Sequence, residues 1–333
     1  MWLQRWKKRH HVSIRLCTSS NQKVLADFEE QLLHFRRNIL RLRHRHMYVL
    51  GQMLNMDQTM VRFDMPPSCT NEIKGSKRVR IKTTKTEKRG FTVALCAAAD
   101  GSKLRAFLIF KERTGEIPRR VRQHLQIPAN VRVTATRNGW MTRDQVLSLT
   151  ERVLGPSETR RLLLLDHYAA HRVADDRAAL DEQDVDLVLV PAACTALAQP
   201  LDIGIDIGIV KPFKDRVRDS WVTWMAEPRP PTAAGNLRQP TRHDVVNWVG
   251  RAWDGVGRDV ITKAFLRCGV SNALDGSEDD QILDRVVPIG DRGGTSSRRR
   301  RRCCCSTAAE ENASDASLTS DEESPASDSD EAM

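Results

Sequence analysis

The stretch RRLLLLDHYAAH, residues 160–171, is a continuous apolar run that ends in an acid. Runs of this kind are typical of a central strand that is buried on both faces of a sheet. A second such run, VDLVLVPA at residues 185–192, follows a segment of helical composition, ADDRAALDEQ at residues 174–183. A strand, a helix and another strand in this order predict a parallel crossover unit and therefore an α/β fold.

Three more strands are predicted before this unit. They are MLNMDQTMVRFDM at residues 53–65, FTVALCAAADG at residues 91–101 and SKLRAFLIFKER at residues 102–113. The last two meet at an Asp-Gly turn, which predicts an antiparallel hairpin. The sheet is therefore expected to be mixed, with an antiparallel part and a parallel part.

Two further helices complete the predicted layers. TRDQVLSLTERVLG, residues 142–155, has Thr142 as a plausible N-cap and Gly155 just past its end. A second helix is predicted to start near Leu201 and to continue through KPFKDRVRDSWVTWM, with an interruption or kink at Pro212. The predicted order is three strands, helix, strand, helix, strand, helix.

The N-terminal part of the chain is strongly basic. Residues 1–50 hold eleven Lys or Arg against three acids, and residues 22–46 show the apolar spacing of an amphipathic helix. The basic residues there are candidates to contact DNA phosphates, with a solvated basic surface as the alternative. The candidate DNA-binding residues are Lys7, Lys8, Arg9, Arg36, Arg37 and Arg41.

Composition narrows the function classes. The 333 residues carry a net charge of +10, although residues 310–333 hold nine acids and no Lys or Arg. The rest of the chain is therefore more basic still, which favours a polyanionic partner such as nucleic acid. The eight cysteines include no C-x-x-C pair, so they predict no zinc site. No apolar run is long enough to predict a membrane span.

Three aspartates occupy unusual positions. Asp57 lies inside the first predicted strand, Asp166 ends the run LLLLD, and Asp202 is predicted to start the helix after the last strand. Strand interiors disfavour Asp, and a buried carboxylate is costly unless something compensates its charge. A divalent cation, Mg²⁺ or Mn²⁺, is the simplest compensation, because hard cations prefer carboxylate oxygens. For any one of these acids, an ordinary strand-end or cap role is the alternative.

An ordered set of motifs runs along almost the whole chain. It comprises NMDQT, FDMPPS, KGSKRVRIKTT, EKRGFTVALCAAADGSKL, NGWM, LLLLDHYAAH, QPLDIGI, KPFK and KAFLRCGVSNALDGSEDD. Over roughly residues 1–285 this set resembles transposases of the pogo/Tigger group, within the mariner-like superfamily. The resemblance implies a ribonuclease-H-like mixed sheet flanked by helices. It also implies an acidic triad at Asp57, Asp166 and Asp202 that is catalytic and binds the metal.

The implied activity is metal-dependent DNA strand cleavage and transfer. Water would first hydrolyse a DNA end, and the freed 3′ hydroxyl would then attack target DNA. The implied partners are DNA, contacted largely through its phosphates, and a second copy of the chain. Neither a membrane nor a small-molecule substrate is expected. The alternative is a domesticated, catalytically inactive nuclear protein that binds DNA or another protein.

One departure from the family pattern bears directly on the triad. The sequence QPLDIGIDIGIVKPFK, residues 199–214, contains DIGI twice, so Asp202 and Asp206 are both candidates for the third acid. Asp202 keeps the family's distance from Asp166, whereas Asp206 keeps the distance to the KPFK motif. Asp202 is favoured because the preceding loop fixes where the helix begins. On one helix the two acids would lie about one turn apart.

The predicted organisation follows from these segments. We expect a truncated helix-turn-helix remnant, similar to that of centromere protein B, at residues 1–20 and a basic amphipathic linker helix at 21–48. The ribonuclease-H-like domain is predicted over 49–227, a Pro-rich linker over 228–241 and a helical segment over 242–287. Residues 288–333 are predicted to be a disordered tail, Arg-rich and then acidic. The run Arg298–Arg302 in that tail suggests nuclear localisation, with a low-complexity charge run as the alternative.

Overall fold

The structure of the protein is a computed structural model, and every described residue belongs to one unit, which spans residues 1–66 and 80–291. The described residues are 2–9, 28–66, 83–86, 88–142, 159–166, 180–192, 194–203 and 208–283. The predicted tail at 288–333 and most of the predicted helices at 142–155 and 174–183 lie outside them.

Six strands of the described chain form one sheet. Their bounds are β1 Met53–Arg62, β2 Gly90–Ala98, β3 Ala106–Lys111, β4 Val131–Thr136, β5 Arg161–Asp166 and β6 Val185–Val190. Their order across the sheet is β4-β3-β2-β1-β5-β6. The pairs β1–β2 and β2–β3 are antiparallel, whereas β1–β5, β5–β6 and β3–β4 are parallel. This arrangement confirms the predicted mixed, ribonuclease-H-like sheet.

Helices flank this sheet. Their bounds are α1 Trp2–Arg9, α2 Phe28–His46, α3 Arg119–His124, α4 Thr195–Ala198, α5 Val210–Ala226, α6 Arg242–Asp254 and α7 Arg258–Arg267, with 3₁₀ turns at Leu50–Gln52 and Asp279–Gln281. No helix among the described residues is long and apolar enough to cross a membrane.

The larger apolar core lies between one face of the sheet and the helices α2, α5, α6 and α7. Alternate residues of β1 point to this face because side chains alternate along a strand, and Met53 and Val61 are buried there. Aromatic pairs join α5 to α6, with ring centroids of Phe213 and Trp253 6.3 Å apart and those of Trp224 and Trp248 6.0 Å apart. The helix that follows the last strand is therefore fixed to the same face as the odd-numbered residues of β1.

The structure corrects three details of the sequence prediction. An additional strand, β4, extends the sheet beyond β3. The helix predicted from Leu201 begins only at Val210, so Asp202 lies in a turn and not at a helix start. Pro212 therefore falls in the first turn of α5, where its missing N–H has no partner to lose, and it does not interrupt the helix.

Candidate active site

Asp57 and Asp166 lie side by side on neighbouring strands. In the parallel pair β1–β5, Met53 lies opposite Leu162 and Asn55 lies opposite Leu164. Continuing this register by two residues places Asp57 opposite Asp166, and both side chains project from the same face of the sheet. The fold thus brings together two acids that are more than a hundred residues apart in the sequence.

Asn55 fixes the position of the segment that carries Asp202. Its side chain is fully buried, and its Nδ2 donates to the carbonyl of Leu164 at 3.0 Å. Its Oδ1 accepts from the backbone N–H of Leu201 at 2.9 Å. Because Asn55 and Asp57 project from the same face of β1, this pair of hydrogen bonds holds the turn at Leu201–Asp202 beside the two strand acids.

The start of α5 lies against the turn that carries Asp202. The backbone N–H of Val210 donates to the carbonyl of Leu201 at 2.9 Å, so these two residues are adjacent. Gly208 lies where a Cβ would come within 2.9 Å of the carbonyl oxygen of Ile203, so this close approach requires glycine. Asp206 lies in residues 204–207, outside the described residues. The predicted spacing of Asp202 and Asp206 about one helical turn apart therefore stays a prediction, although Asp202 itself lies in a turn.

The three acids repel one another. Burial and, next, the charges of Asp202 and Asp166 together raise the pKa of Asp57 to about 7, although hydrogen bonds from Gln58 and Gln199 oppose the shift. Burial also raises the pKa of Asp202, as does the charge of Asp166, and the ammonium of Lys214 opposes this rise. The ionised forms of Asp57 and Asp202 are therefore disfavoured in the folded protein.

Lys214 on α5 is the cation that faces this group. Burial lowers the pKa of its ammonium, while the charges of Asp202 and Asp57 act in the opposite direction. One half-buried ammonium compensates only part of the charge of Asp57 and Asp202. The site therefore favours a further cation.

The donor atoms fit a hard divalent cation. Gln199 is buried, its side chain hydrogen-bonds Asp57, and its Oε1 has no hydrogen-bond partner. Among the described residues, no group of three His, Cys, Asp or Glu side chains lies close enough to bind one ion. That finding is compatible with Mg²⁺, which proteins usually hold by one or two carboxylates together with water and substrate phosphates. The set Asp57, Asp166 and Asp202 thus has the chemistry to hold such ions, with Gln199 as a neutral oxygen beside them.

Comparison with known proteins decides the family. Residues 88–265, more than half of the chain, match the family described as DDE superfamily endonuclease. The chain belongs to this family. It contains a transposase-derived DDE endonuclease domain, and the matched segment includes Asp166 and Asp202.

The relatives of this DDE endonuclease include transposon-derived proteins. The human "Pogo transposable element with KRAB domain" is 28% identical over 288 residues, covering 85% of this chain and 45% of that protein. The mouse "Jerky protein" is 30% identical over 287 residues, covering 80% of this chain and 45% of that protein. This chain therefore spans less than half the length of either relative.

A solved structure is also similar. It is the "Crystal structure of the mariner Mos1 paired end complex with Mg", with a TM-score of 0.47 and 13% sequence identity, covering 84% of this chain and 70% of that chain.

The structure places the predicted DNA-binding residues of the DDE endonuclease in different environments. Arg37 and Arg41 on α2 and Arg9 on α1 are exposed. Arg36 points inward, and its guanidinium donates to the carbonyl of Leu283 at 2.6 Å. The side chains of Lys7 and Lys8 lie outside the described residues.

A further arginine of the basic helix α2 lies in the interior. Arg43 is buried, and its guanidinium donates to the carbonyl of Asn272 at 2.8 Å. The face of α2 toward solvent is therefore less basic than its sequence predicts.

Proposed function

We propose that this DDE endonuclease cleaves DNA strands in a reaction that depends on Mg²⁺ or Mn²⁺, and that it can join a cleaved end to another DNA. The observation that carries the proposal is the group formed by Asp57, Asp166 and Asp202. These acids come from two adjacent strands and a turn tied to β1. The charges of Asp202 and Asp166 raise the pKa of Asp57, and the charge of Asp166 raises that of Asp202. Such mutually perturbed acids mark a functional site more often than a structural one.

Each residue has a distinct role in this proposal. Asp57, Asp166 and Asp202 would hold the ions, and Gln199 would orient the Asp57 carboxylate through its hydrogen bond. Two bound ions supply charge that stabilises the attacking and leaving oxygens of a phosphoryl displacement. Lys214 would keep the group partly neutralised and would lie near the phosphate of a bound strand. Asn55 would keep Asp202 in position through Leu201.

DNA is the proposed substrate because the chain is basic and the acids are suited to phosphoryl transfer. The net charge of +10, combined with a strongly acidic segment at residues 310–333, leaves a large positive excess elsewhere. We further propose that the protein acts in the nucleus and as a pair of copies. Both proposals rest on the sequence, the first on the run Arg298–Arg302.

A nicking assay tests the proposed activity. Supercoiled plasmid is incubated with the wild-type chain and Mn²⁺, in parallel with Asp57→Asn, Asp166→Asn and Asp202→Asn, and with Asp219→Asn as the matched control. Asp219 is an exposed acid on α5 whose side chain faces away from the buried positions of that helix. We expect nicking to be lost in the three triad variants and to be retained in the control.

Mn²⁺ affinity is measured by isothermal titration calorimetry on the same variants. It distinguishes a chain that is inactive because it does not bind the metal from one that binds the metal but does not cleave. Loss of Mn²⁺ binding in Asp57→Asn, together with loss of nicking, supports a metal-dependent site. A wild-type chain that retains DNA but neither binds Mn²⁺ nor nicks the plasmid would contradict the proposal. That result would instead favour a DNA-binding protein without catalysis.

A further inference from the structure

A second site lies beyond the end of β1. A cavity of about 490 Å³ is lined by Arg89, Arg120, Arg242, His124 and His243, with Phe63 among its apolar residues. None of the described residues that line it is acidic. We refer to this cavity as the arginine pocket.

The arginines are held in place by specific contacts. Arg89 lies over the ring of Phe63, with 5.6 Å from its Cζ to the ring centroid, and donates to Gln239 at 2.9 Å. Arg242 pairs with Glu112, and its Cζ lies 5.6 Å from the centroid of the Phe110 ring. These contacts orient two guanidinium groups at the pocket without neutralising both of them.

The positive charge of the arginine pocket exceeds its negative charge. Glu112 is the ion-pair partner of Arg242, while Arg89 and Arg120 have no ion pair within the described part of the chain. The pKa of Arg242 is lowered by burial and also by the nearby charge of Arg89, which shows that the two cations repel. The Nδ1 atom of His243 is buried and has no hydrogen-bond partner. An anion with several acceptor oxygens would reduce the repulsion between the arginines and could also accept a hydrogen bond from His243.

The arginine pocket is separate from the acidic group. Phe63 directly follows β1 and lies six residues beyond Asp57. At the rise of an extended chain, about 20 Å separates the two residues. Phe63 and Asp57 share a face, because side chains alternate along the strand.

We propose that the arginine pocket binds the phosphodiester backbone of a nucleic acid at a point remote from the acids. Arginine is suited to this role because its planar donors match two phosphate oxygens at once. The proposal extends the DNA substrate proposed above, but it concerns binding without metal or cleavage. It predicts that the pocket contributes affinity for DNA of any sequence, since phosphate contacts carry no base information.

Binding of a fluorescent 30-base-pair duplex in EDTA tests this site on the full chain. Arg120 and Arg122 provide a matched pair, because both are exposed on α3 and only Arg120 lines the pocket. We expect Arg120→Ala to weaken binding several-fold and to reduce the slope of log K against log salt by about one, as for the loss of one phosphate contact. Arg122→Ala should change the affinity less than twofold.

The double variant Arg89→Ala/Arg120→Ala should weaken binding at least tenfold, and thermal melting checks that each variant is folded. Equal effects of Arg120→Ala and Arg122→Ala, or a wild-type chain that does not bind the duplex, would overturn the proposal.

A second experiment measures the melting temperature in sodium phosphate. If phosphate raises the melting temperature of the wild type but not of Arg120→Ala, while duplex affinity is the same in both, the pocket takes a free anion and the proposal is overturned. Since EDTA removes divalent cations, loss of the proposed cleavage activity cannot produce any of these results.

Discussion

Asp57 and Asp64 belong to the same short segment of chain, one inside β1 and the other just past its end, yet their surroundings are opposite. Asp64 is only 1% exposed, and its carboxylate accepts hydrogen bonds from the backbone N–H and hydroxyl groups of Thr84 and Thr86. Asp57 is half-buried and faces the charges of Asp166 and Asp202. Both acids accept hydrogen bonds from neutral donors, but of the two it is Asp57 that also faces the charges of other acids.

The difference shows what separates a structural acid from a candidate catalytic one. Burial alone does not, since Asp64 is the more buried of the two. A carboxylate with a full set of donors stabilises the fold by joining two segments, here the end of β1 and residues 83–86. A carboxylate that faces other acids destabilises the fold when no cation is bound. Acids perturbed in this way occur more often at binding or catalytic sites.

The largest expected effect is on nicking. We predict that Asp57→Asn lowers Mn²⁺-dependent plasmid nicking by about 10³-fold, equivalent to about 4 kcal/mol, because it removes one charged oxygen ligand. Asp64→Asn should change the rate by only a few-fold once the folded fraction is taken into account. Initial rates of nicking, normalised to the folded fraction from circular dichroism, provide the measurement. Comparable losses in the two folded variants would remove the distinction between the two acids.

The second effect is on stability, where replacing Asp64 should cost more than replacing Asp57, the reverse of the effect on nicking. Asp64→Ala leaves the backbone N–H groups of Thr84 and Thr86 buried without their acceptor, and each such group costs about 1–3 kcal/mol. We expect the free energy of unfolding in urea to fall by about 3 kcal/mol. Asp57→Ala, measured without metal at pH 8, should not destabilise the protein. A loss below about 1 kcal/mol in Asp64→Ala would show that water replaces the carboxylate as the acceptor.

The third effect is a dependence of stability on pH. The pKa of Asp57 is raised to about 7 from an ordinary value of 3.8. Between these values the folded state binds a proton that the unfolded state has released, so the free energy of unfolding falls as the pH rises. The stabilising contribution of protonated Asp57 is therefore complete below about pH 4 and is lost as the pH rises through about 7.

Asp57→Asn cannot titrate and should lack this contribution. We predict that, in EDTA, the wild type loses about 2 kcal/mol more stability than Asp57→Asn when the pH is raised from 5 to 8. Urea unfolding of both proteins at both pH values gives the change in unfolding free energy with pH for each. Subtracting the change in Asp57→Asn from that in the wild type cancels the contributions of most other titrating groups. Mn²⁺ should restore the wild type at pH 8 but not the variant. Identical pH dependence of the two proteins would mean that Asp57 is ionised normally in the folded state.

The sequence identified the candidate acids more readily than the residues that surround them. Asp57 and Asp166 could be found because each interrupts or ends an apolar strand, where an acid needs a reason. Asn55 carries the same kind of signal, since it is a polar residue two positions before Asp57 and must share its face, but the pattern does not say what it binds. Gln199, directly after α4, and Lys214, on α5, meet these acids only through tertiary packing, which no local pattern contains.

The errors have physical causes too. β4 has the sequence VRVTAT, in which only alternate residues are apolar over a short length, so its strand character depends on pairing with β3. The segment after Leu201 is apolar enough to predict a helix from Leu201. The sequence could not show the hydrogen bond from the N–H of Val210 to the carbonyl of Leu201, which holds the start of α5 against the turn at Asp202. Both are cases in which long-range contacts decide between local alternatives.

The smallest expected effect is at the second copy of DIGI, where the argument from the loop is sharpest. Because Asn55 holds Leu201 and Leu201 in turn accepts from Val210, the start of the loop and the start of α5 are both fixed to β1. Extra residues between them leave Asp202 beside Asp57, whose pKa already responds to the Asp202 charge. We therefore predict that Asp206→Ala retains nicking within about twofold, whereas Asp202→Ala loses it, in the same plasmid assay with Mn²⁺. The reverse result, an inactive Asp206→Ala and an active Asp202→Ala, would mean that the loop refolds around the metal and that the second copy supplies the third acid.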